Sequence, residues 1–270
     1  MIIADQHLHT AFSEDSDTPM EKQIEAGINK GLKTMCFTEH MDKDFPKDNN
    51  GKTMFEVDTE AYYNGVLECR EKYKDKMEIN FGIEYGFMDH LLEHNHSYVN
   101  SYPFDFVIGS IHVVDGYDVY YPDFYQGKTE KEAYLCYFEK VLESVKSFDD
   151  FDVCGHIDYI VRYGPNKNRD YHYRDYGDVL DEILKTLIYK GKGIEINTGG
   201  FRKLVNEPNP SGEILKRYRE LNGEIITIGS DAHEPKDVAS YFEKTAELME
   251  KLGFRYYSIF RNRRPEFIKI

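Results

Sequence analysis

The sequence contains no tryptophan and only four cysteines, at positions 36, 69, 136 and 154. None of them forms a Cys-x-x-Cys pair, so reduced thiols are favoured over disulfides or a zinc knuckle, and Cys36 and Cys154 lie in apolar runs typical of the core. There is no stretch of about 18 consecutive apolar residues, and the first residues lack a basic segment leading into an apolar one. These absences predict a cytoplasmic protein without a membrane partner.

Positive charge is also scarce. The 270 residues include 34 Lys and Arg against 49 Asp and Glu, which gives a formal net charge of −15. Such a surface repels nucleic acid and anionic lipid, so we expect a small-molecule substrate and no nucleic-acid partner. The content of 40% hydrophobic and 31% charged residues is typical of a globular chain with a sizeable core, which excludes a coiled coil or a disordered chain.

Glycine-rich phosphate-binding loops are missing too. No predicted strand is followed by Gly-x-Gly-x-x-Gly, and Gly-x-x-x-x-Gly-Lys-Ser/Thr does not occur. Nicotinamide, flavin and P-loop nucleotide chemistry therefore lack their main support in the sequence.

Short apolar strands and helical patterns alternate along the chain. The first unit is a strand at 2–4, a helix that begins with the capping box Thr18-Pro19-Met20-Glu21 and ends at Gly31, and a strand at 34–37. Further strands are predicted at 78–83, 104–108, 151–154, 193–196 and 224–228. Further helices are predicted at 129–145, with the capping box Thr129-x-x-Glu132, and at 175–189, 211–221 and 235–252.

This series of about seven β-α units predicts an α/β fold. No linker rich in Pro, Gly or Ser interrupts it, so we expect one domain that spans residues 1–270. A parallel, TIM-barrel-like (β/α) barrel, one unit short of eight, explains the pattern better than an open doubly wound sheet.

Six of the ten histidines lie at or just after the end of a predicted strand, and carboxylates occupy matching positions. They are His7, His9, His40, His112, His156 and His233, with Asp5, Glu39, Glu84, Asp158 and Asp231. Each position alone is a weak signal, because single histidines at strand ends are more often capped turns or exposed polar residues. In a parallel barrel, however, the carboxyl ends of the strands converge on one face. The joint placement predicts a site for several metal ions, and the ligand types suit zinc, manganese or iron.

A competing metal motif is His90-Leu91-Leu92-Glu93-His94, which matches the inverted metalloprotease pattern. Its predicted helix is short and no third ligand is evident, so a solvated polar helix is the favoured interpretation. His172 has no assigned role.

Seven motifs along the chain are together highly specific for one superfamily. They are Asp5-x-His7-x-His9-Thr10, Thr38-Glu39-His40, Gly82-x-Glu84, Gly109-Ser110-x-His112, Gly155-His156-x-Asp158, Glu195-x-Asn197 and Gly229-Ser230-Asp231-Ala232-His233. Over nearly the whole chain the sequence resembles the polymerase and histidinol phosphatase (PHP) superfamily, and it looks most like the histidinol-phosphatase branch. This resemblance implies a distorted (β/α)7 barrel and a metal-dependent phosphoric monoester hydrolase.

The resemblance also implies two to three divalent ions. The residues that would hold them, in three groups, are His7, His9, Glu84 and Asp231; the bridging Glu84 with His112 and His156; and His40 with His233. The third group usually has a further ligand, often a histidine, in the loop after the first strand. Asp15 is the nearest matching residue here and Asp17 is the competing candidate, and a carboxylate would favour harder ions such as manganese.

Phosphate-ester hydrolysis needs positive charge at the phosphoryl oxygens, which a forked guanidinium supplies well. Arg162 and Arg202 follow two of the strand ends and are the candidates, with surface ion pairs as the alternative interpretation. In the expected reaction, metal-activated hydroxide attacks phosphorus. The leaving alkoxide would be served by the third ion or by an acid near Asp231 and His233.

The histidinol-phosphatase branch implies L-histidinol phosphate, an intermediate of histidine biosynthesis, as the substrate. The aromatic and acidic loop 115–123, with Tyr117, is a candidate to contact its imidazole and amine, although these tyrosines would equally pack the loop on the barrel. The alternatives are a PHP phosphoesterase for another small phosphate monoester or a nucleic-acid 3′ end, and a metal-binding regulatory domain without turnover.

Overall fold

A sheet of seven parallel strands, surrounded by helices, forms the body of the structure. The computed structural model describes residues 1–47, 51–203 and 205–270. The strands are β1 (Ala4–Asp5), β2 (Thr34–Met41), β3 (Glu78–Gly86), β4 (Phe106–Ser110), β5 (Val113–Val114), β6 (Tyr117–Asp118), β7 (Val153–Cys154), β8 (Gly193–Asn197), β9 (Ile226–Gly229), β10 (Tyr256–Arg261) and β11 (Arg264–Lys269). The large sheet has the order β1-β2-β3-β4-β7-β8-β9. Gln6 N donates a hydrogen bond to Ile228 O at 2.9 Å, so the first and last strands meet and the barrel is nearly closed.

Seven α-helices lie between or beside these strands in the described part of the chain. They are α1 (Met20–Asn29), α2 (Thr59–Tyr73), α3 (Leu92–Ser101), α4 (Glu130–Ser147), α5 (Gly177–Tyr189), α6 (Gly212–Glu220) and α7 (Phe242–Lys251). The prediction of a TIM-barrel-like (β/α)7 barrel is confirmed. Because β2 and β3 lie between the barrel interior and the helices, nearly all of their residues are buried, as expected for parallel strands covered on both faces.

The helix starts agree with the sequence prediction in one case and contradict it in another. At α4, Glu132 N donates to Thr129 Oγ1 and Thr129 N donates to the Glu132 carboxylate, so the predicted capping box is confirmed. The box predicted at Thr18 is wrong, because α1 begins at Met20 without a side-chain cap. Thr18 Oγ1 instead donates to His233 O at 2.8 Å.

The last helix is also shorter than predicted. Pro235–Asp237 forms a 3-10 turn, and α7 begins only at Phe242. Ala239 and Tyr241 have φ angles of 51° and 62°, a left-handed conformation that an α-helix cannot contain. The predicted helix over 235–252 is therefore divided into a turn, a bend and a helix.

The hairpin β10–β11 closes the end of the barrel at which the strands begin. The Phe260 ring lies 4.9 Å from the Phe106 ring, and Arg263 Nε donates to Asp152 Oδ2, immediately before β7, at 2.6 Å. Cys36 and Cys154 are buried free thiols, as predicted. Among the described residues no helix has the length and apolarity needed to cross a membrane. The opposite end of the barrel, where the strands finish, is the one that carries polar side chains.

Candidate metal centre

The side chains predicted as metal ligands converge where the barrel strands end. They are His7, His9, Asp15, His40, Glu84, His112, His156, Asp231 and His233. Three groups have ligand atoms within 4.8 Å of one another: His7, His9 and Glu84; His40, Glu84 and His112; and His9, His40 and His233. Glu84 belongs to two of these groups, which is consistent with a bridging carboxylate.

The first group has the spacing of a metal coordination shell. His7 Nε2 lies 3.0 Å from His9 Nε2 and 3.1 Å from Glu84 Oε2, and Asp231 Oδ1 lies 3.6 Å from His9 Nε2. Ligand atoms of a tetrahedral zinc ion with bonds of about 2.0–2.1 Å lie roughly 3.3–3.4 Å apart. The distances that join His7 and His9 to each other, to Glu84 and to Asp231 span 3.0–3.8 Å, which is close to this separation.

The His7 imidazole lies between two carboxylates. Its Nδ1 lies 2.6 Å from Glu195 Oε1, a contact in which Nδ1 is the donor. Burial lowers the pKa of His7, but Glu195 and Glu84 raise it well above its ordinary value, so without a metal ion the protonated ring donates to both carboxylates. A metal ion would take the place of the Nε2 proton, and Glu195 behind the ring fixes its orientation. The sequence analysis quoted Glu195 within a motif but gave it no role.

The second oxygen of Glu84 faces two other imidazoles. Glu84 Oε1 lies 2.9 Å from His156 Nε2 and 3.4 Å from His112 Nε2. His112 Nδ1 in turn donates to Asp42 Oδ2 at 2.6 Å. Asp42 was not identified from the sequence, although it lies only two residues after His40.

Asp15 joins the third group of side chains. Its Oδ2 lies 2.9 Å from His233 Nε2 and 3.6 Å from His40 Nε2. Asp15 and the competing candidate Asp17 are both exposed, so the distances to the two imidazoles, and not burial, favour Asp15. His40 Nδ1 also lies 3.3 Å from Glu84 Oε2. This imidazole therefore lies beside the bridging carboxylate as well as beside Asp15, which the resemblance did not imply.

Two members of the cluster, Glu84 and His9, have protonation states that suit metal binding. Burial alone would raise the pKa of Glu84, but the neighbouring His7 and His112 hold it well below its ordinary value. Burial lowers the pKa of His9, and the nearby His40 and His233 lower it further. The bridging carboxylate is therefore ionised and His9 is neutral, which are the forms that bind a metal ion. Burial lowers the pKa of His7 and His112, but neighbouring carboxylates raise it well above its ordinary value, so these imidazoles would release a proton when an ion binds.

The backbone at Asp231 is strained. Its φ angle is 53°, in the left-handed region that non-glycine residues rarely adopt. Asp231 N donates to His7 O at 2.8 Å, and Ser230 N donates to Asp5 Oδ1 at 2.8 Å. These bonds hold the strained turn in place and direct the Asp231 side chain toward the imidazoles.

Both predicted arginines lie beside Asp231. Arg162 is only 2% exposed, and its Nη1 donates to Asp231 Oδ2 at 3.0 Å. Arg202 Nη2 donates to the main-chain oxygen of Asp231 at 2.8 Å, while its Nη1 donates to Ser240 Oγ. Each guanidinium is thus partly engaged with the protein, and phosphate binding by either arginine stays a prediction.

The aromatic loop reaches the metal centre through Tyr120 rather than Tyr117. Tyr117 and Tyr120 are both about half exposed, at 51% and 52%, so it is the ring contacts that distinguish them. The Tyr120 ring lies 4.8 Å from Tyr163, which lies 5.0 Å from Tyr159, and Tyr159 lies 4.6 Å from the His156 imidazole. Tyr159 and Tyr163 are rings near the site that the sequence analysis missed.

The competing motif at 90–94 does not form a metal site in the described residues. His90 lies in a 3-10 turn and its exposed imidazole pairs with Asp44, while His94 lies in α3 and contacts Asn95. The favoured interpretation, a polar helix with incidental histidines, is therefore the one that the structure supports.

Comparison with known proteins connects this arrangement with characterised relatives. The sequence is 32% identical to the histidinol-phosphatase of Lactococcus lactis over 95% of this chain and 93% of the relative. It is 34% identical to a protein of Clostridium acetobutylicum named "Probable histidinol-phosphatase", over 94% of this chain and 95% of the relative.

A solved structure gives the same picture. The crystal structure of the L. lactis histidinol phosphate phosphatase, complexed with zinc, L-histidinol and phosphate, superposes with a TM-score of 0.90 at 32% identity, covering 97% of this chain and 98% of the other. The model of the PHP domain family matches residues 5–199, which include seven of the nine ligand candidates. The chain belongs to the PHP domain family.

Proposed function

We propose that the protein is a metal-dependent phosphatase that hydrolyses L-histidinol phosphate to L-histidinol and phosphate, a step of histidine biosynthesis. The observation that carries the proposal is the cluster of imidazoles around Glu84, which has the spacing of a polynuclear metal site in a barrel that superposes closely on an enzyme solved with zinc, L-histidinol and phosphate. The cytoplasmic location and the single-domain organisation expected from the sequence stay predictions.

The residues of the site divide into those that would hold metal ions and those that orient the imidazole ligands. His7, His9, Glu84 and Asp231 would hold one ion, and Glu84 with His112 and His156 would hold the next. When bound, such ions activate water and neutralise charge on the phosphoryl oxygens. Glu195 and Asp42 keep two of the imidazoles in the tautomer that presents Nε2 to an ion.

The two arginines supply fixed positive charge next to this group. A guanidinium carries five N–H donors, and Arg162 uses three of them on Asn209, Asp231 and Asn197. The other two N–H groups are the ones that would contact a phosphoryl oxygen. Arg202, which is partly exposed, is the second candidate for this contact.

The proton for the leaving alkoxide is best assigned to His233. Asp231 is a poor donor, because although burial raises its pKa, His7 and Arg162 hold that pKa well below its ordinary value. Burial lowers the pKa of His233, but the hydrogen bond with Asp15 and the charges of Asp15 and Asp231 together outweigh burial and raise this pKa. His233 cannot donate a proton and bind a metal ion through the same nitrogen. It would therefore serve as the acid only when two ions are bound, and a third ion would take the place of its proton.

The test is a phosphate-release assay with metal-reconstituted protein. L-Histidinol phosphate is compared with a panel of sugar, nucleotide and aryl phosphates, and kcat/KM is measured for each. The proposal requires a clear preference for L-histidinol phosphate. Equal turnover of simple phosphate esters would reassign the protein as a broader phosphoesterase, and phosphate release only from a nucleic-acid 3′ end would reassign the substrate class.

A further inference from the structure

A buried path of hydrogen bonds leads from Asp231 to residues that no ligand group contains. Asp231 Oδ2 accepts from Arg162 Nη1 at 3.0 Å, and Arg162 Nε donates to Asn209 Oδ1 at 2.7 Å. Asn209 Nδ2 then donates to Asp158 Oδ1 at 2.6 Å. Arg162, Asn209 and Asp158 are each at most 2% exposed, so solvent does not compete for these bonds.

The Asn209 amide has only one possible orientation in this path. On one side it faces a guanidinium, which has no acceptor, and on the other side a carboxylate, which has no donor when ionised. Its backbone is equally fixed, because Asn209 N donates to Asn197 O at 2.9 Å and Asn197 N donates to Asn209 O at 2.7 Å. The amide oxygen is therefore held at a set position for Arg162.

Arg162 is fixed through three different nitrogens. Besides Nε and Nη1, its Nη2 donates to Asn197 Oδ1 at 2.7 Å, and Asn197 Nδ2 lies 3.2 Å from the same Asp231 Oδ2. The guanidinium also lies over the Tyr159 ring, with Cζ 5.0 Å from its centroid. The plane of the guanidinium is thus determined, and with it the direction of the bond to Asp231.

This arrangement decides which oxygen of Asp231 faces the imidazoles. Oδ2 is occupied by Arg162 and Asn197, whereas Oδ1 lies 3.6 Å from His9 Nε2 and 3.8 Å from His7 Nε2. If Arg162 moved, Oδ2 would lose the shorter of its two hydrogen bonds, and only the contact with Asn197 Nδ2 would restrain this oxygen. The strained backbone at Asp231 makes an external restraint on its side chain more important.

We propose that Asn209 is a positioning residue, whose amide, anchored on Asp158, holds Arg162 so that Asp231 presents Oδ1 to a bound metal ion. Asn209 acts through Arg162 and contacts none of the predicted ligands itself. The inference rests on the proposed function only in that Asp231 binds an ion, and it does not depend on which phosphate ester is the substrate.

The first experiment removes the amide. Metal-free Asn209→Ala and wild-type protein are titrated with zinc against a competing fluorescent chelator, and we expect the variant to bind one of its ions about 10–100-fold more weakly, the usual effect of losing such a supporting contact. The matched control is Asn206→Ala in the same loop, because Asn206 is exposed and contacts only Lys244 among the described residues. Wild-type zinc affinity in Asn209→Ala would overturn the proposal.

The second experiment exchanges the Asn209 amide and the Asp158 carboxylate. It distinguishes a specific loss of positioning from a general loss of stability. Asn209→Asp alone sets two carboxylates against each other, and Asp158→Asn alone removes the charge that anchors the amide, so each should weaken zinc binding. The double variant Asp158→Asn with Asn209→Asp restores an acceptor for Arg162 Nε and a donor between positions 158 and 209. We expect its zinc affinity to return to within about threefold of wild type, as for residues that act as a coupled pair.

Purely additive losses in the double variant would contradict the positioning role. Because the readout is zinc binding, a wild-type protein that binds zinc normally but does not prefer L-histidinol phosphate would disprove the proposed function and leave this inference standing. The kcat and KM of the variants with an aryl phosphate provide a second readout that is equally independent of the natural substrate.

Discussion

His112 donates a hydrogen bond from Nδ1 to Asp42 Oδ2 at 2.6 Å, and this contact fixes the imidazole that faces Glu84. Asp42 is 2% exposed, and the absence of a side chain at Gly86 makes room for it, since a Cβ there would lie 2.6 Å from Asp42 Oδ1. A carboxylate behind a ligand imidazole sets the tautomer and increases the basicity of the ligand nitrogen.

Asp42→Ala should weaken metal binding at the group that contains His112. We expect about a 10–100-fold loss of affinity for one ion, because His112 loses both its orientation and its negative partner. Zinc titration against a chelator measures this loss. Asp44→Ala is the control, because Asp44 is exposed and pairs, within the described part of the chain, with the exposed His90. This variant should bind zinc like wild type. Equal affinities in the two variants would show that Asp42 does not support a ligand.

Glu84→Gln should damage both metal loading and turnover. Glu84 Oε2 faces His7 and Glu84 Oε1 faces His156, so a neutral amide cannot serve as an anionic bridge between two ions. We expect elemental analysis to find at least one ion fewer per chain than in the wild type, and kcat to fall by at least about 100-fold, or roughly 2.7 kcal/mol. Exposed Glu93→Gln in α3 should change neither quantity. A Glu84→Gln variant with full metal and a near-normal rate would place Glu84 outside the coordination shell.

The barrel was predictable because its strands are short apolar runs at regular intervals, and the histidines that follow them converge for topological reasons. The hairpin β10–β11 was not predicted, since its residues alternate without a turn motif such as Asn-Gly. Its turn uses Asn262 and Arg263, both with positive φ, which their contacts with Asp105 stabilise. A turn held by a distant carboxylate leaves no local signal in the sequence.

The ligands were easier to identify than the residues behind them. His7, Glu84 and His112 occur in dense motifs at strand ends, whereas Asn209 and Asp42 occur in none. Their importance comes from contacts with Arg162 and His112, at sequence separations of 47 and 70 residues. Spacing along the chain cannot reveal such partners, because they depend on the packing of separate loops at the top of the barrel.

An ion pair far from the metal centre should make stability depend on pH. Arg217 donates to both oxygens of Asp181, through Nε at 2.8 Å and Nη2 at 2.7 Å, and holds the pKa of this carboxyl below its ordinary value. A lowered pKa means that the stabilisation is complete above about pH 4 and is lost as the pH falls further, when the unfolded chain takes up the proton first.

Asp181→Asn should therefore lower the urea midpoint of unfolding at pH 7, and the difference from wild type should shrink between pH 4 and pH 3. Glu182→Gln is the neighbouring control, because Glu182 pairs with the exposed Lys185 and such surface pairs contribute little. A difference that stays constant over this pH range would show that the Asp181 charge is not the source of the effect.

Arg202→Ala should reduce activity on every phosphate ester. Its Nη2 holds the main chain at Asp231, a predicted metal ligand, and its guanidinium is a candidate for phosphate binding. Both roles concern the phosphate group, which all phosphate esters share. We expect kcat/KM to fall about 10–100-fold, the size of one or two charge-assisted hydrogen bonds, for L-histidinol phosphate and for an aryl phosphate alike. Loss on only one of them would assign Arg202 to recognition of the organic group.

Recognition of the organic group of the substrate can be distinguished from recognition of its phosphate by two tyrosine variants. Tyr117 was predicted from the sequence to contact L-histidinol, and it is half exposed, as is Tyr120. Only Tyr120 makes an edge-on contact with Tyr163 and so connects through Tyr159 to His156. We therefore expect Tyr120→Ala to raise KM for L-histidinol phosphate by about tenfold and Tyr117→Ala to raise it less. Neither change should alter the kinetics with an aryl phosphate, because a contact with an absent imidazole or amine cannot be lost. Steady-state kinetics of both variants with both substrates checks this. If Tyr120→Ala impaired the two substrates equally, the ring would only pack the loop against the barrel, and recognition of the imidazole and amine would have to come from another wall of the site.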